Sequence, residues 1–149
     1  MSVKPGVWTI QNDASKTYLQ MDGDKAEGWK EDFNEIKQRW VVQKAKGQDG
    51  YVIFNMEGKK FLHVDSRDNG KTVECQKDQP ARWEFKKVDN DTVEVHLTNS
   101  KLCLDLDNGR GGNNVPVHVY WDGDKKHQRW NFKQVATLEE AGHKGECDC

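Results

Sequence analysis

Short stretches in which apolar and polar residues alternate recur along the chain at similar spacing. Alternation with period two is typical of a strand that buries one face. The clearest stretches follow three related tripeptides, Gln38-Arg39-Trp40, Ala81-Arg82-Trp83 and Gln128-Arg129-Trp130. A phrase repeated three times indicates a repeated structural unit, and we predict that its tryptophans are buried anchors.

Strands with matching patterns precede each tryptophan. Each repeat opens with an aliphatic-centred strand that ends in asparagine, at residues 8–12, 51–55 and 95–99. A second strand follows, with leucine on the face that alternation buries, at residues 18–22, 61–65 and 103–107. The third strand is expected at residues 72–75 and 115–120 in the later repeats and near residues 27–29 in the first. Single helical turns fit residues 31–37 and 138–141, which are too short to form stable helices alone.

Four short strands in each of three repeats predict an all-β fold of twelve strands. Closing three units around one axis covers the sheet edges, so we expect a closed barrel with pseudo-threefold symmetry. The prediction is a single domain over residues 1–135, with repeats at about 5–47, 48–90 and 91–135. Residues 136–149 are predicted to form a flexible C-terminal extension.

Composition and charge exclude several classes of partner. Apolar residues make up 34% of the 149 residues and charged residues 32%, a balance that would suit disorder but for six tryptophans. The net charge of −2, with both signs interspersed, argues against a nucleic-acid partner. No stretch has the apolar length of a leader or a membrane span, so we expect no membrane insertion. The expected location is cytoplasmic, with any release occurring without a classical signal. The four cysteines show no paired framework.

The registered tryptophan phrases and their flanking strands resemble the ricin-B-type lectins, in particular the small single-domain lectins of mushrooms. The Q-x-W pattern of that family is matched at residues 38–40 and 128–130. The resemblance covers roughly residues 5–135. It implies a β-trefoil of twelve strands in three four-stranded repeats, and a carbohydrate-binding protein with a role in defence.

The resemblance places a sugar site in the third repeat. In the family an aspartate on the second strand, a ring near the third strand and an asparagine before Q-x-W hold the sugar. Asp105 takes the aspartate position, whereas His127 stands where the family has asparagine. A carboxylate pairs well with vicinal hydroxyls, and a ring offers flat apolar area at low entropic cost. The expected ligands are galactose- or N-acetylgalactosamine-type glycans. The expected binding residues are Asp105, Asn108, Gly109, His118, Tyr120, Trp121, His127 and Gln128.

The other two repeats depart from the family pattern. Gln20 replaces the aspartate in the first repeat, where Trp29 can still stack, so these two residues form a weaker candidate site. Loss of the charge-assisted pair costs on the order of 1 kcal/mol or more, which disables a site of near-millimolar affinity. His63 and Ala81 occupy the aspartate and phrase positions of the second repeat, which we interpret as structural.

Catalysis, cofactors and metal sites find little support in the sequence. The five histidines show no metal-ligand spacing, and no nucleophile motif is present, so we expect no enzyme, cofactor or metal. His143, Cys147 and Cys149 could bind a soft metal, but a mobile tail is the preferred interpretation.

Two further expectations concern partners. Weak single sugar sites gain from multivalency, so we expect a homodimer or clustering on glycoproteins. The alternative function is a β-trefoil inhibitor of cysteine or aspartic proteases, acting through surface loops such as residues 23–34 or 122–127. The net acidity disfavours a heparin-binding or growth-factor-like trefoil.

Overall fold

The structure, a computed structural model, describes residues 2–32 and 34–149. The first repeat contains β1 (Gly6–Asn12), β2 (Tyr18–Asp22), β3 (Lys25–Trp29) and β4 (Trp40–Ala45). The second contains β5 (Tyr51–Asn55), β6 (Phe61–His63), β7 (Glu74–Gln76) and β8 (Trp83–Lys87). The third contains β9 (Val93–Leu97), β10 (Leu102–Leu106), β11 (Val115–Trp121) and β12 (Trp130–Ala136), and the tail adds β13 (Glu146–Cys147). Short 3-10 turns form at Ile36–Gln38, Asp107–Gly109 and Lys126–Gln128.

The strand pairing closes a ring. The last strand of each repeat pairs antiparallel with the first strand of the next, β4 with β5 and β8 with β9. β12 returns to pair with β1, so no repeat is left with an open edge at these junctions. The second and third strands of each repeat pair with one another, as β2–β3, β6–β7 and β10–β11. The prediction of an all-β fold with three four-stranded repeats is confirmed. None of the described helical segments has the length and apolarity needed to cross a membrane.

The repeated tryptophans lie in the core, where Trp40, Trp83 and Trp130 have no exposed surface. The indole Nε1 of Trp40 donates to the carbonyl of Leu19 at 2.9 Å, and that of Trp130 donates to the carbonyl of Leu104 at 3.0 Å. Each bond joins the last strand of a repeat to its second strand. The tryptophans therefore fix the strands of a repeat to one another by hydrogen bonding as well as by packing.

The second repeat breaks this pattern. Within the described residues, Nε1 of Trp83 is buried without a hydrogen-bond partner. The carbonyl of Leu62, on the second strand of this repeat, accepts instead from the backbone N–H of Ala81 at 2.9 Å. Ala81 stands where the other phrases have glutamine, so the altered phrase coincides with an altered hydrogen-bond arrangement.

Buried asparagines tie neighbouring repeats together. Asn12 lies opposite Trp130 in the sheet, and its Nδ2 donates to the carbonyl of His127 at 3.0 Å. Asn55 makes the equivalent bond to the carbonyl of Lys37 at 2.8 Å. Neither asparagine has exposed surface. A buried amide without a partner is costly, so these bonds set the position at which one repeat meets the next.

The third repeat does not use the predicted asparagine. Trp83 lies opposite Leu97, and the strand β9 (Val93–Leu97) begins two residues earlier than the predicted 95–99. Asn99 instead lies in the following turn with a φ of 54°. The prediction was displaced because a shift of two residues leaves a period-two pattern unchanged.

Smaller differences concern the third strands and the helical turns. In the second repeat the strand forms at Glu74–Gln76, and Thr72 makes only an isolated bridge to His118. The helical turn expected at residues 31–37 is confined to Ile36–Gln38, with Phe33 outside the described residues. Residues 138–141 form a turn, as expected.

The C-terminal segment differs from the predicted flexible extension, because it folds back onto the barrel. β13 pairs in parallel with β4, and Nε2 of Gln43 donates to the carbonyl of Lys144 at 2.7 Å. Leu138 is buried against Val7 and Val41 in a small second cluster. Leu138, with Ala141 packed against the same cluster, and backbone bonds to β4 therefore dock a segment whose composition is polar.

The four cysteines are of two kinds. Cys147 and Cys149 form a disulfide within the tail, which the sequence did not indicate. Cys75 and Cys103 are free and buried. Burial raises the pKa of Cys75 to about 12 and also raises the pKa of Cys103. Both thiols therefore stay protonated at neutral pH. A protonated thiol is a poor nucleophile.

Phenylalanine substitutions at Trp130 and Trp83 separate hydrogen bonding from packing. Both side chains are fully buried, so both changes remove similar volume. Only Trp130→Phe also removes a hydrogen bond, so we expect its loss of unfolding free energy to be larger by about 1 kcal/mol. Urea unfolding followed by circular dichroism measures both losses. Equal losses would contradict a stabilising role for the bond to Leu104.

Candidate functional site

A pocket opens in the third repeat, formed by β10, β11 and the loops that follow them. Its volume is about 260 Å³, just below the roughly 300–1,000 Å³ of sites for drug-sized ligands. All the predicted binding residues except Gly109 line it. The lining residues are Asp105, Asp107, Asn108, His118, Tyr120, Trp121, Gly123, Lys125, His127 and Gln128.

Asp105 supplies the buried carboxylate of this pocket. It is the penultimate residue of β10 and is 2% exposed. Its Oδ2 accepts from Nε2 of Gln128 at 2.8 Å, and its Oδ1 lies 2.9 Å from Nδ1 of His127. Nε2 of His118 lies 3.3 Å from the same Oδ1. Because a carboxylate offers about four lone-pair positions, these contacts leave acceptor capacity for a ligand.

The neighbours of Asp105 keep it ionised. Burial acts to raise the pKa of its carboxyl group, but hydrogen bonds from His118 and Gln128 and the charge of His127 hold the pKa below its ordinary value. An ionised carboxylate accepts stronger hydrogen bonds than a neutral acid does. At neutral pH the pocket therefore contains a strong acceptor surrounded by imidazole and amide groups.

The side-chain amide of Gln128 fixes the loop that follows β11. Gln128 is 1% exposed, and its Nε2 donates to the carbonyl of Trp121 at 2.9 Å as well as to Asp105. Its Oε1 accepts from the backbone N–H groups of Gly123 at 3.0 Å and Lys125 at 3.4 Å. One buried side chain thus joins the carboxylate on β10 to the loop beside the aromatic rings.

Two aromatic rings stand at the rim of the pocket. Tyr120 is 45% exposed and Trp121 is 54% exposed. The ring centroid of Tyr120 lies 5.7 Å from that of His118. Large exposed rings beside a polar pocket indicate an interaction surface. They provide flat apolar area close to the buried carboxylate.

The turn Asp107–Gly109 closes the other side of the pocket. Asn108 and Gly109 have positive φ values of 52° and 64°. A Cβ atom on Gly109 would lie 3.1 Å from the Cβ of His127 and 3.2 Å from that of Ala14. Gly109 therefore shapes the pocket by allowing this close approach, although it does not line the pocket itself.

In the weaker candidate site of the first repeat, Gln20 is bonded within the protein. Gln20 is 8% exposed, and its Oε1 accepts from Nε2 of Gln38 at 2.9 Å. Gln38 also donates to the carbonyl of Lys30 at 2.8 Å. A pocket of about 110 Å³ beside the first repeat is lined by neither Gln20 nor Trp29. The glutamine pair repeats the contact between Gln128 and Asp105 without its charge.

The second repeat uses its histidine internally. His63 is 7% exposed. Its Nδ1 lies 2.7 Å from the carbonyl of Gln79, and its Nε2 lies 2.9 Å from Oδ1 of Asp65. Both ring nitrogens are therefore engaged within the protein, which agrees with a structural role at this position.

Three lining residues were not singled out from the sequence, namely Asp107, Gly123 and Lys125. Asp107 directly follows β10, and the other two lie in the loop between Trp121 and the Q-x-W phrase. The sequence did contain a signal for them, because binding residues are often on loops, and these three residues follow site residues in loops. The pattern alone does not show which of them turn inward.

A family model described as ricin-type beta-trefoil lectin domain-like matches residues 1–76 and 37–120. These two overlapping matches together span most of the chain. The chain therefore belongs to the ricin-type β-trefoil lectin family, and the resemblance inferred from the Q-x-W phrases is confirmed. No curated protein sequence matches this chain.

Solved structures share the fold at low sequence identity. The Rhizoctonia solani agglutinin superposes with a TM-score of 0.82 at 17% identity, covering 91% of this chain and 99% of that one. The Macrolepiota procera ricin B-like lectin, solved in complex with lactose, gives 0.78 at 16% identity, with coverages of 91% and 99%. ThreeFoil, a designed threefold-symmetric protein, gives 0.77 at 17% identity, with coverages of 87% and 99%. These likenesses confirm the β-trefoil fold.

The contacts of Asp105 make its contribution to stability depend on pH. Because its pKa is lowered on folding, this contribution is complete above the ordinary aspartate pKa of about 3.9 and is lost as pH falls through the lowered value. We expect the difference in unfolding free energy between the wild type and Asp105→Asn to shrink as the pH falls below about 4. Urea unfolding at a series of pH values tests this. A difference that stays constant throughout would contradict the assignment.

Proposed function

We propose that this chain binds carbohydrate through the pocket of the third repeat. The observation that carries the proposal is the convergence of an ionised, buried carboxylate and two exposed rings on one pocket of about 260 Å³. Membership of a lectin family supports a carbohydrate-binding, non-enzymatic role. The similar Macrolepiota lectin was solved with lactose bound, which supports a saccharide as the ligand class.

The proposed binding mode follows from the chemistry of the lining residues. A sugar hydroxyl donates to the remaining acceptor position of Asp105, while His118 and His127 offer polar contacts to a neighbouring hydroxyl. The apolar face of the sugar ring stacks on Trp121 or Tyr120, both of which are already exposed. Because Gln128 fixes both the carboxylate and the loop, sugar binding costs little conformational entropy of the pocket residues.

Galactose or N-acetylgalactosamine is the proposed terminal sugar. A galactose ring has a continuous apolar face that suits stacking, and its adjacent 3- and 4-hydroxyls are placed so that one can reach Asp105 and the other a histidine beside it. Lactose, which the Macrolepiota lectin binds in its crystal structure, ends in galactose. The pocket volume suits a terminal sugar better than an internal stretch of a long chain.

One site per chain is the proposed stoichiometry. Gln20 and His63, at the positions of Asp105 in the other repeats, are buried and bonded internally. A single shallow site is weak, on the order of millimolar, so we propose that function depends on a homodimer or on clustered glycans. Light scattering at high protein concentration would reveal the dimer, and a strict monomer would remove it from the proposal.

Substitution of Asp105 tests the site directly. On a glycan array we expect the wild type to bind galactose-terminated glycans and Asp105→Ala to lose this binding, because the strong acceptor is gone. Gln20→Ala, at the matched position of the first repeat, should bind as the wild type does. Far-UV circular dichroism of each variant confirms that it is folded.

Two outcomes would count against the proposal. Normal glycan binding by a folded Asp105→Ala variant would remove the third-repeat pocket from it. Absence of binding by a folded wild-type protein would instead favour the alternative of a protease inhibitor. Inhibition assays with papain and pepsin would then test that alternative.

A further inference from the structure

A cluster of metal-ligating side chains lies outside the sugar pocket, where β9 meets the loop after β11. It consists of Glu94, His96 and Asp122, none of which lines the pocket. One ligand atom from each residue lies within 4.8 Å of the other two. Glu94 is 3% exposed and His96 is 8% exposed, whereas Asp122 is partly exposed at the surface.

The hydrogen bonds of His96 fix how its ring is presented. Its Nδ1 lies 3.1 Å from the carbonyl oxygen of Ser100, which can only accept, so Nδ1 carries a hydrogen. In the neutral ring, Nε2 then has a lone pair that points toward the two carboxylates. It lies 3.0 Å from Oε1 of Glu94 and 3.7 Å from Oδ2 of Asp122. In that form three electron-rich atoms face one another, an arrangement that either a proton on Nε2 or a metal ion would stabilise.

Two of the three separations between ligand atoms are compatible with a small divalent cation, and the third is within 4.8 Å. Zinc binds imidazole nitrogen and carboxylate oxygen at about 2.0–2.2 Å, so neighbouring ligand atoms in a tetrahedral site lie about 3.4 Å apart. The two distances from Nε2 of His96, 3.0 and 3.7 Å, lie on either side of that value. A ring whose other nitrogen donates to a backbone carbonyl is also the usual arrangement of a histidine that binds metal.

The matched positions of the other repeats show that the fold does not require this charge. Since Leu97, Asn12 and Asn55 lie opposite the three core tryptophans, His96 corresponds to Gln11 and Phe54. By the same register, Glu94 corresponds to Thr9 and Val52. Burying a carboxylate is costly without a compensating charge. The third repeat therefore has charged or ionisable residues at two positions where the other two repeats have neutral residues.

The surrounding charged groups leave room for a cation. On β8, Lys86 has its Nζ 4.0 Å from Oδ2 of Asp122, but its side chain is mostly exposed and free to turn outward. Glu84 on β8 and Cys103 on β10 lie beside His96 in the sheet. The Sγ of Cys103 donates to the carbonyl of Tyr120 at 3.6 Å, and burial raises the pKa of this thiol, which keeps it neutral. Two basic side chains lie near the carboxylates of Glu94 and Asp122: Lys86 at the surface, and Arg129, which interacts with Glu94 but forms its ion pair with Asp124.

We propose that Glu94, His96 and Asp122 bind one zinc ion, with water completing the coordination on the exposed side of Asp122. The ion would join β9 to the loop that begins at Asp122 and continues along the pocket through Gly123 and Lys125. Its presence does not depend on whether the pocket binds sugar. The bond from the N–H of Asp124 to Oδ1 of Asp122 leaves the other oxygen of that carboxylate for the metal.

Zinc titration of chelator-treated protein by isothermal calorimetry tests the proposal. We expect one zinc ion per chain, and a rise in the thermal midpoint of the wild type when zinc is added. Asp122→Asn and Glu94→Gln keep the side-chain shape but remove a charged ligand, and each should weaken zinc binding by at least about tenfold. The midpoints of these two variants should respond less to zinc.

Matched controls separate this site from other zinc ligands. His63→Gln alters a buried histidine that faces one carboxylate, Asp65, and should leave zinc affinity unchanged. The double variant Cys147→Ser, Cys149→Ser should do the same, since the tail is outside the cluster. The proposal would be overturned if the wild type took up no zinc, which would leave His96 as a proton-bearing partner of the carboxylates. Uptake that survived both ligand substitutions, or that vanished with the tail cysteines, would overturn it as well.

Discussion

The buried amide of Gln128 is the contact on which the pocket of the third repeat depends. Its nitrogen bonds both to the carboxylate of Asp105 and to the carbonyl of Trp121, and its oxygen binds the N–H group of Gly123. A buried amide must satisfy its donors and acceptor, so the strand that bears the carboxylate and the loop beside the rings are fixed relative to one another. The same contact leaves part of the carboxylate available to a ligand.

The three repeats show what happens when one residue of this arrangement changes. In the first repeat Gln38 keeps its place, but its partner Gln20 is neutral and buried. In the second, alanine replaces the glutamine, and His63 bonds to Asp65 and a backbone carbonyl. The barrel accepts all three versions, because the tryptophans and the strand pairing stabilise it independently of the site. The three repeats thus share one pairing of their second and third strands while differing in the residue at the position of Asp105.

Much of the fold could be predicted from the sequence, because burial imposes a repeated pattern on it. The tryptophan phrases predicted the last strand of each repeat. The family's aspartate position singled out Asp105, which lines the pocket of the third repeat. What failed was exact register, where Leu97 rather than Asn99 faces Trp83, since alternation does not distinguish a shift of two. The docking of the tail could not be predicted either, because only small apolar contacts, of Leu138 and Ala141, anchor a largely polar segment.

The loops around the pocket were the least predictable part of the site. Asp107, Gly123 and Lys125 face the pocket because of turn geometry and the hydrogen bonds of Gln128, and neither is visible as a sequence pattern. The cluster of Glu94, His96 and Asp122 was missed for a related reason. Two of its residues lie on one strand and the third lies in a loop after another, so their sequence spacing does not resemble that of a metal site.

A titration with lactose followed by nuclear magnetic resonance tests the central claim most directly. In ¹H–¹⁵N correlation spectra, we predict shifts of the indole signal of Trp121, the backbone signal of Gly123 and the side-chain amide of Gln128. The side-chain amide of Gln38, its counterpart in the first repeat, should not move. Shifts at Gln38 with none around Trp121, or no shifts at millimolar lactose, would contradict the account of a single sugar pocket built around Asp105.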